Sequence, residues 1–128
     1  MRHPPVTFAL AVATLLAVAL SGACSDSQPS DGTASAFVGL DGASLYAQAC
    51  AGCHGGDLAG TSEGPPFLDA IYRPGHHADA SFLLAVRRGV RSHHWNFGDM
   101  PPIEGLIDAQ VAAISTFVRE RQVAAGIE

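Results

Sequence analysis

The sequence predicts an all-α domain, in which three short helices and two long loops close around a large apolar group. Three observations predict it. Apolar residues recur at helical spacing in three separate segments, and no segment has the alternation or β-branched density of a strand. The intervening loops are also out of proportion to a folded part of roughly 90 residues, which by itself buries too little apolar surface for comfort. Long structureless loops in a compact domain are suspect unless they are occupied. A large apolar cofactor wrapped by those loops removes the difficulty.

The first 23 residues of the 128-residue chain lie outside that domain. Arg2 and His3 precede an apolar run from Val6 to Leu20, and the small residues Ser21, Gly22 and Ala23 stand ahead of Cys24. This basic, apolar, small-residue order predicts a secretory signal over 1–23. A run of about 15 residues falls short of the roughly 20 that a spanning helix needs. The stretch LSGAC resembles a bacterial lipobox, although Ser21 occupies the place where that pattern has leucine and Leu20 lies one further back. The resemblance implies that Cys24 is diacylated and anchors the chain to a membrane. Ordinary cleavage near Ala23 would instead leave Cys24 as an exposed thiol, a liability in an oxidising compartment.

Residues 24–38 read as the anchor site and a flexible linker, because residues 25–36 (SDSQPSDGTASA) carry no large apolar side chain that could offset ordering entropy. The chain has no lysine. Loss of Arg2 with the leader leaves six arginines against 12 acidic residues, a net charge of −6. That balance excludes a nucleic-acid footprint. It suits a basic partner or simple solubility.

The folded part is predicted over 39–128. Asp41 can cap a helix to about Ala51, with Leu45, Tyr46 and Ala49 forming a narrow stripe. From Gly55 to His77 the chain is rich in Gly and Pro and reads as loop, with His76 and His77 in a solvated turn. A second helix opens at Asp79 or Ser81. Phe82, Leu83, Val86 and Val90 fall on one face of it, and Arg87, Arg88 and Arg91 crowd its last turn, where cations suit the helix dipole. Gly98 to Gly105 is again loop. A third helix starts near Asp108, carries Val111, Ile114, Phe117 and Val118 on one side, and frays near Gly126.

At the end of the first helix stands CAGCH, residues 50–54. A redox dithiol with this spacing belongs at a helix start inside a βαβ unit, and no strands are predicted. A zinc site would need two more ligands from His76, His77, His93 and His94, and gives no reason for His54 to follow Cys53 directly. C-x-x-C-H is the haem c attachment sequence: two thiols three positions apart add to the two vinyl groups, and the next residue offers its imidazole to the iron. With Cys24 lipidated, all three cysteines are accounted for. The second iron face falls to Met100, because Met1 leaves with the leader. A thioether stabilises reduced iron and suits electron transfer. Pro101 and Pro102 restrict the loop that carries it. Bis-histidine ligation through His93 or His94 is the rival, and would lower the potential.

From Gly42 to Val123 the chain resembles the small monohaem class I cytochromes c of bacterial type, in the order helix, CxxCH, Gly-Pro loop, MPP loop, helix. The resemblance implies an all-α cytochrome c fold, with three main short helices and long loops around one covalently bound haem. It also implies that Gly42 and Tyr46 pack on Phe117 and Ile114, with Gly42 allowing a close helix crossing. Pro65 is implied as the residue whose carbonyl faces the free nitrogen of His54, fixing its tautomer. Phe67 or Leu68 would cover the haem, with Trp95 or Phe97 beside the ring or a propionate. The implied function is a one-electron carrier rather than an enzyme, periplasmic or otherwise extracytoplasmic, exchanging electrons with redox proteins as a monomer or as a subunit of a respiratory complex. The alternatives are a haem subunit of a dehydrogenase or oxidase, and a peroxidase or gas sensor with displaceable Met100.

Overall fold

The computed structural model describes Met1 and residues 35–128. The predicted signal, the proposed lipidation site Cys24 and the linker up to residue 34 lie outside the described residues. Four α-helices follow in order: α1 (Gly42–Ala49), α2 (Ala51–His54), α3 (Asp79–Arg88) and α4 (Asp108–Ala124), with a 3-10 turn at Ala70–Tyr72. Among the described residues there is no strand, only one antiparallel bridge between Val90 and Met100. No described helix is long and apolar enough to cross a membrane.

Helix α1 starts where sequence chemistry puts it. The Asp41 carboxylate accepts from the Ser44 N–H at 3.3 Å and from the Ser44 hydroxyl at 2.5 Å. These bonds, the hydroxyl's foremost, hold its pKa below the ordinary carboxylate value. The helix stops at Ala49, two residues earlier than predicted, and Cys50 serves as C-cap of α1 and N-cap of α2. A bend therefore sits at Cys50, while Cys53 and His54 lie within α2. In α3 the predicted start at Asp79 holds, but its cap is Ala78, with no side-chain bond. The helix closes at Gly89, which adopts φ 71°, so Val90 and Arg91 lie beyond the predicted stripe and last turn. A glycine just past a basic last turn is the usual stop signal, and it outweighs the apolar match at Val90.

Helix α4 packs across α1 and beside α3. Leu45, Tyr46, Phe82, Val86, Val111, Ile114 and Val118 form the core, together with Leu58 and Leu106 from the loops. Burial of these side chains stabilises the fold at about 25 cal/mol per Å² of apolar surface removed from water. Tyr46 meets Phe117 at 5.4 Å between ring centroids and donates its hydroxyl to Gly55 O at 2.7 Å. Its burial pushes the phenol pKa well above the ordinary value.

The structure also buries polar residues that periodicity placed no weight on. Gln110 accepts from the Ser35 hydroxyl at 2.6 Å and donates to Phe37 O at 2.9 Å and Gly39 O at 3.1 Å. The end of the predicted linker, Ser35 to Phe37, is thereby tied to α4. A buried amide with every atom paired is the condition under which polar burial is tolerated.

Arg119 does the same at the other end of α4. Its guanidinium donates to Tyr72 O and Gln122 Oε1, both at 2.6 Å, to His77 O, and to Asp79 Oδ1 at 2.8 Å. It also lies over the Phe82 ring at 5.0 Å. The Asp79 side chain is 72% exposed, so the ion pair itself contributes little. The carbonyls matter more, since removing a charged donor leaves buried acceptors unpaired. Arg119→Met is expected to cost about 3 kcal/mol, read as a lower urea midpoint with an unchanged slope.

Candidate cofactor site

The loops and α3 enclose a cavity of about 530 Å³. Cys50, Cys53, His54, Pro65 and Met100 all line it, so every predicted site residue among the described ones meets at one place. Helix α3 contributes Leu84, Ala85 and Arg88, a face that the predicted stripe did not include. Leu84 is 48% exposed and Phe97 38%, yet both face this cavity. Exposed apolar side chains converging on one concavity mark a surface built to be covered.

His54 is the best-fixed member, only 8% exposed at the end of α2. Its Nδ1 lies 2.9 Å from Pro65 O. A carbonyl can only accept, so Nδ1 carries the proton and Nε2 presents its lone pair. Burial lowers the His54 pKa, with the Pro65 carbonyl acting in the opposite sense. The ring is therefore held neutral, as a metal ligand requires. Phe67 stacks on it at 4.2 Å between centroids with a 24° tilt, and in turn touches Tyr46, Tyr72 and Phe82. Burial, with the Cys53 thiol beside it, pushes the Cys50 thiol up to about 11. An unshifted thiol sits near 8.5, so Cys50 is a poor redox nucleophile at neutral pH.

Met100 is positioned through its backbone. Val90 N donates to Met100 O and Met100 N donates to Val90 O, both at 2.9 Å. Ile103 N donates to Val86 O at 2.8 Å on the far side of the paired prolines. Gly89 makes the approach possible, since a Cβ there would come within 2.4 Å of Met100 O. The loop is thus fastened to the end of α3 on both sides of Pro101 and Pro102.

One buried polar atom here, Trp95 Nε1, has no well-formed hydrogen bond, its near neighbour being the Tyr72 side chain. Trp95 and Arg88 both line the cavity. An unpaired N–H inside a protein costs about 1–3 kcal/mol unless a ligand accepts from it. A donor and a cation on the wall of one apolar cavity fit a ligand that is apolar in its body and anionic at its edge.

The sequence offers His76, His77, His93 and His94 only as candidates to complete a zinc site with the cysteines, and places His76 and His77 in a solvated turn. The structure brings the four together. His76 Nε2 lies 3.2 Å from His94 Nε2, and the His93 and His94 rings are 4.2 Å apart. Partial desolvation by its neighbours and the imidazoles of His93, His77 and His76 lower the pKa of the exposed His94. The repeated HH pair was the one available signal. Its two halves are joined only by the packing of the 73–77 turn against the 91–95 loop.

Comparison with known proteins converges on the same region. The cytochrome c family model matches residues 40–122. Cytochrome c-551 of Bacillus subtilis (strain 168) is 32% identical over 109 residues, covering 85% of this chain and 84% of the relative.

Proposed function

The chain belongs to the cytochrome c family, and from that premise we propose that it is a one-electron carrier with a single haem c, bound through Cys50 and Cys53 and ligated by His54 and Met100. When bound, the haem supplies a one-electron Fe(III)/Fe(II) couple; the protein supplies ligands, a dry pocket and a docking face. The residues fit the group. Two thiols, an imidazole with Nε2 free and a thioether line one apolar cavity, and the indole of Trp95 stands on its wall. That convergence is the observation that carries the reading.

Each residue has a separate task. Cys50 and Cys53 fix the cofactor covalently at the bend between α1 and α2. Pro65 holds His54 in the Nδ1–H tautomer and strengthens its Nε2 as a donor. Val90 clamps the backbone of Met100, so its sulfur is delivered by a fastened loop rather than a mobile one. Phe67, Phe82 and Ile103 exclude water, and Arg88 with Trp95 suits the acidic edge of the haem. Redox proteins are the donor and acceptor, and the acidic mature chain suits a basic docking surface.

We further assign the chain to the extracytoplasmic side, carried there by the segment 1–23 and held at the membrane by a lipid on Cys24. Such a tether confines the search for partners to the membrane surface and raises their effective concentration. Mass measurement of mature protein from a host competent in haem attachment tests both statements together. The expected mass is that of the chain from Cys24 plus one haem and one diacylglyceryl group. A mass without haem removes the carrier reading, and one without the lipid removes the anchor alone.

A further inference from the structure

The histidine cluster is given no role in the function just described, although His77, His93 and His94 lie on the wall of the same cavity. His76, His77 and His94 each present a ring nitrogen, and the three nitrogens lie within 4.8 Å of one another. From this geometry we propose that these residues form a second metal site, for a divalent transition ion of the zinc and copper class, separate from the haem iron.

One pair already stands at the right separation, and the His77 nitrogen, within 4.8 Å of both, closes in on binding. Zinc–nitrogen bonds of about 2.0–2.1 Å at a tetrahedral centre put neighbouring nitrogens roughly 3.3–3.4 Å apart. His76 Nε2 and His94 Nε2 stand 3.2 Å apart. Two imidazole nitrogens that face each other at this range share either a proton or a cation. The third ligand is oriented from behind. His77 Nδ1 lies 2.7 Å from Ile71 O, so Nδ1 carries the proton and Nε2 is left as the donor, the arrangement found at metal-binding histidines.

The supports beneath the rings are fixed before any ion arrives. The turn that carries His76 and His77 is closed by both of their N–H groups donating to Arg73 O at 2.9 Å. The His77 carbonyl is held by the Arg119 guanidinium. On the other side, Ser92 N donates to Asp99 Oδ1 at 2.9 Å, and the Ser92 hydroxyl donates to Trp95 O, which closes the loop around His94. Ligands on two anchored loops lose little entropy on binding. Imidazole ligands select Zn, Cu, Ni or Fe over the hard cations. Three of them leave a fourth position for water, as in open zinc sites.

The test uses the mature holoprotein, stripped of loose metal with a chelator that leaves covalent haem in place. Calorimetric titration with zinc chloride is expected to show one ion per chain with a dissociation constant on the order of micromolar. H76A and H94A are each expected to weaken binding by about 30-fold or more, in line with the loss of a ligand or its support. Both rings are exposed, and the visible haem spectrum of each variant checks that the fold is intact. In the ferrous wild type, ring-proton resonances of His76, His77 and His94 should shift together on adding zinc. No binding at tens of micromolar zinc, wild-type affinity in the H76A/H94A double variant, or resonance shifts elsewhere would each overturn the site. Zinc affinity and iron ligation are read separately: a changed haem spectrum in H94A reports the iron's ligands, while the titration reports the zinc site.

Discussion

Met100→Ala is expected to abolish the weak red charge-transfer band of the ferric protein, to open the ferrous iron to rapid CO binding, and to lower the midpoint potential. The fall should be on the order of 0.2 V, a fraction of the roughly 0.8 V over which axial ligands set haem potentials. The effect should be local. The backbone of residue 100 is held by two 2.9 Å bonds to Val90 that do not involve the side chain, so the loop stays in place while the sulfur is lost. Attachment through Cys50 and Cys53 keeps the cofactor bound, so colour survives and only the coordination changes. A variant with unaltered spectrum and potential would show that another residue fills the second iron face. H93A and H94A would then separate the bis-histidine rival from the thioether reading. The displaceable-methionine alternative makes a different forecast, since it requires rapid CO uptake by the wild type.

The second large effect is on stability. Gly42→Val should destabilise the fold by about 3 kcal/mol or more, within or beyond the usual range for overpacked cores. Two effects oppose each other here. Replacing a helical glycine gains up to about 1 kcal/mol of propensity, rather less for a β-branched residue. Against that, a Cβ at position 42 would stand 2.2 Å from Ala113 O and 3.0 Å from Phe117 Cβ. The nearest atom belongs to the backbone of α4, which cannot rotate away as a side chain could. The steric term wins, and α1 must separate from α4, loosening Tyr46 against Phe117 and the rest of the core. Denaturant titration of the holoprotein measures the loss directly. Stability within 1 kcal/mol of wild type would mean that the crossing yields at little cost, contrary to close packing.

The same crossing shows what could be read in advance. Gly42, Tyr46 and Phe117 were placed together by resemblance to a family, not by periodicity, which gave only three amphipathic stripes. Those stripes were legible because helical spacing is a local property: Leu45 with Tyr46, Phe82 with Val86, and Val111 with Ile114 and Val118 are all buried. Misreadings occurred where a local stop signal competed with an apolar match. Gly89 ends α3 before Val90, and Cys50 divides the first helix where a continuous one was expected. Leu84 escaped the predicted face because it packs toward the cavity rather than toward α4.

Buried polar residues were illegible for a different reason. Gln110, Gln122 and Arg119 look like surface residues until their partners are known, and those partners are backbone carbonyls up to 73 residues away. Nothing in a local window encodes such a carbonyl. The four clustered histidines fall under the same limit.

The sequence alone determined the helical class and the attachment motif at Cys50, Cys53 and His54, and it singled out Met100 as the candidate sulfur ligand, because each rests on residue type and short spacing. The tertiary structure decided which nitrogen of His54 is free, how the Met100 loop is fastened, and that His76, His77 and His94 meet. These depend on contacts between segments distant in the chain, whose geometry is set by packing of the whole core and not by any stretch of it.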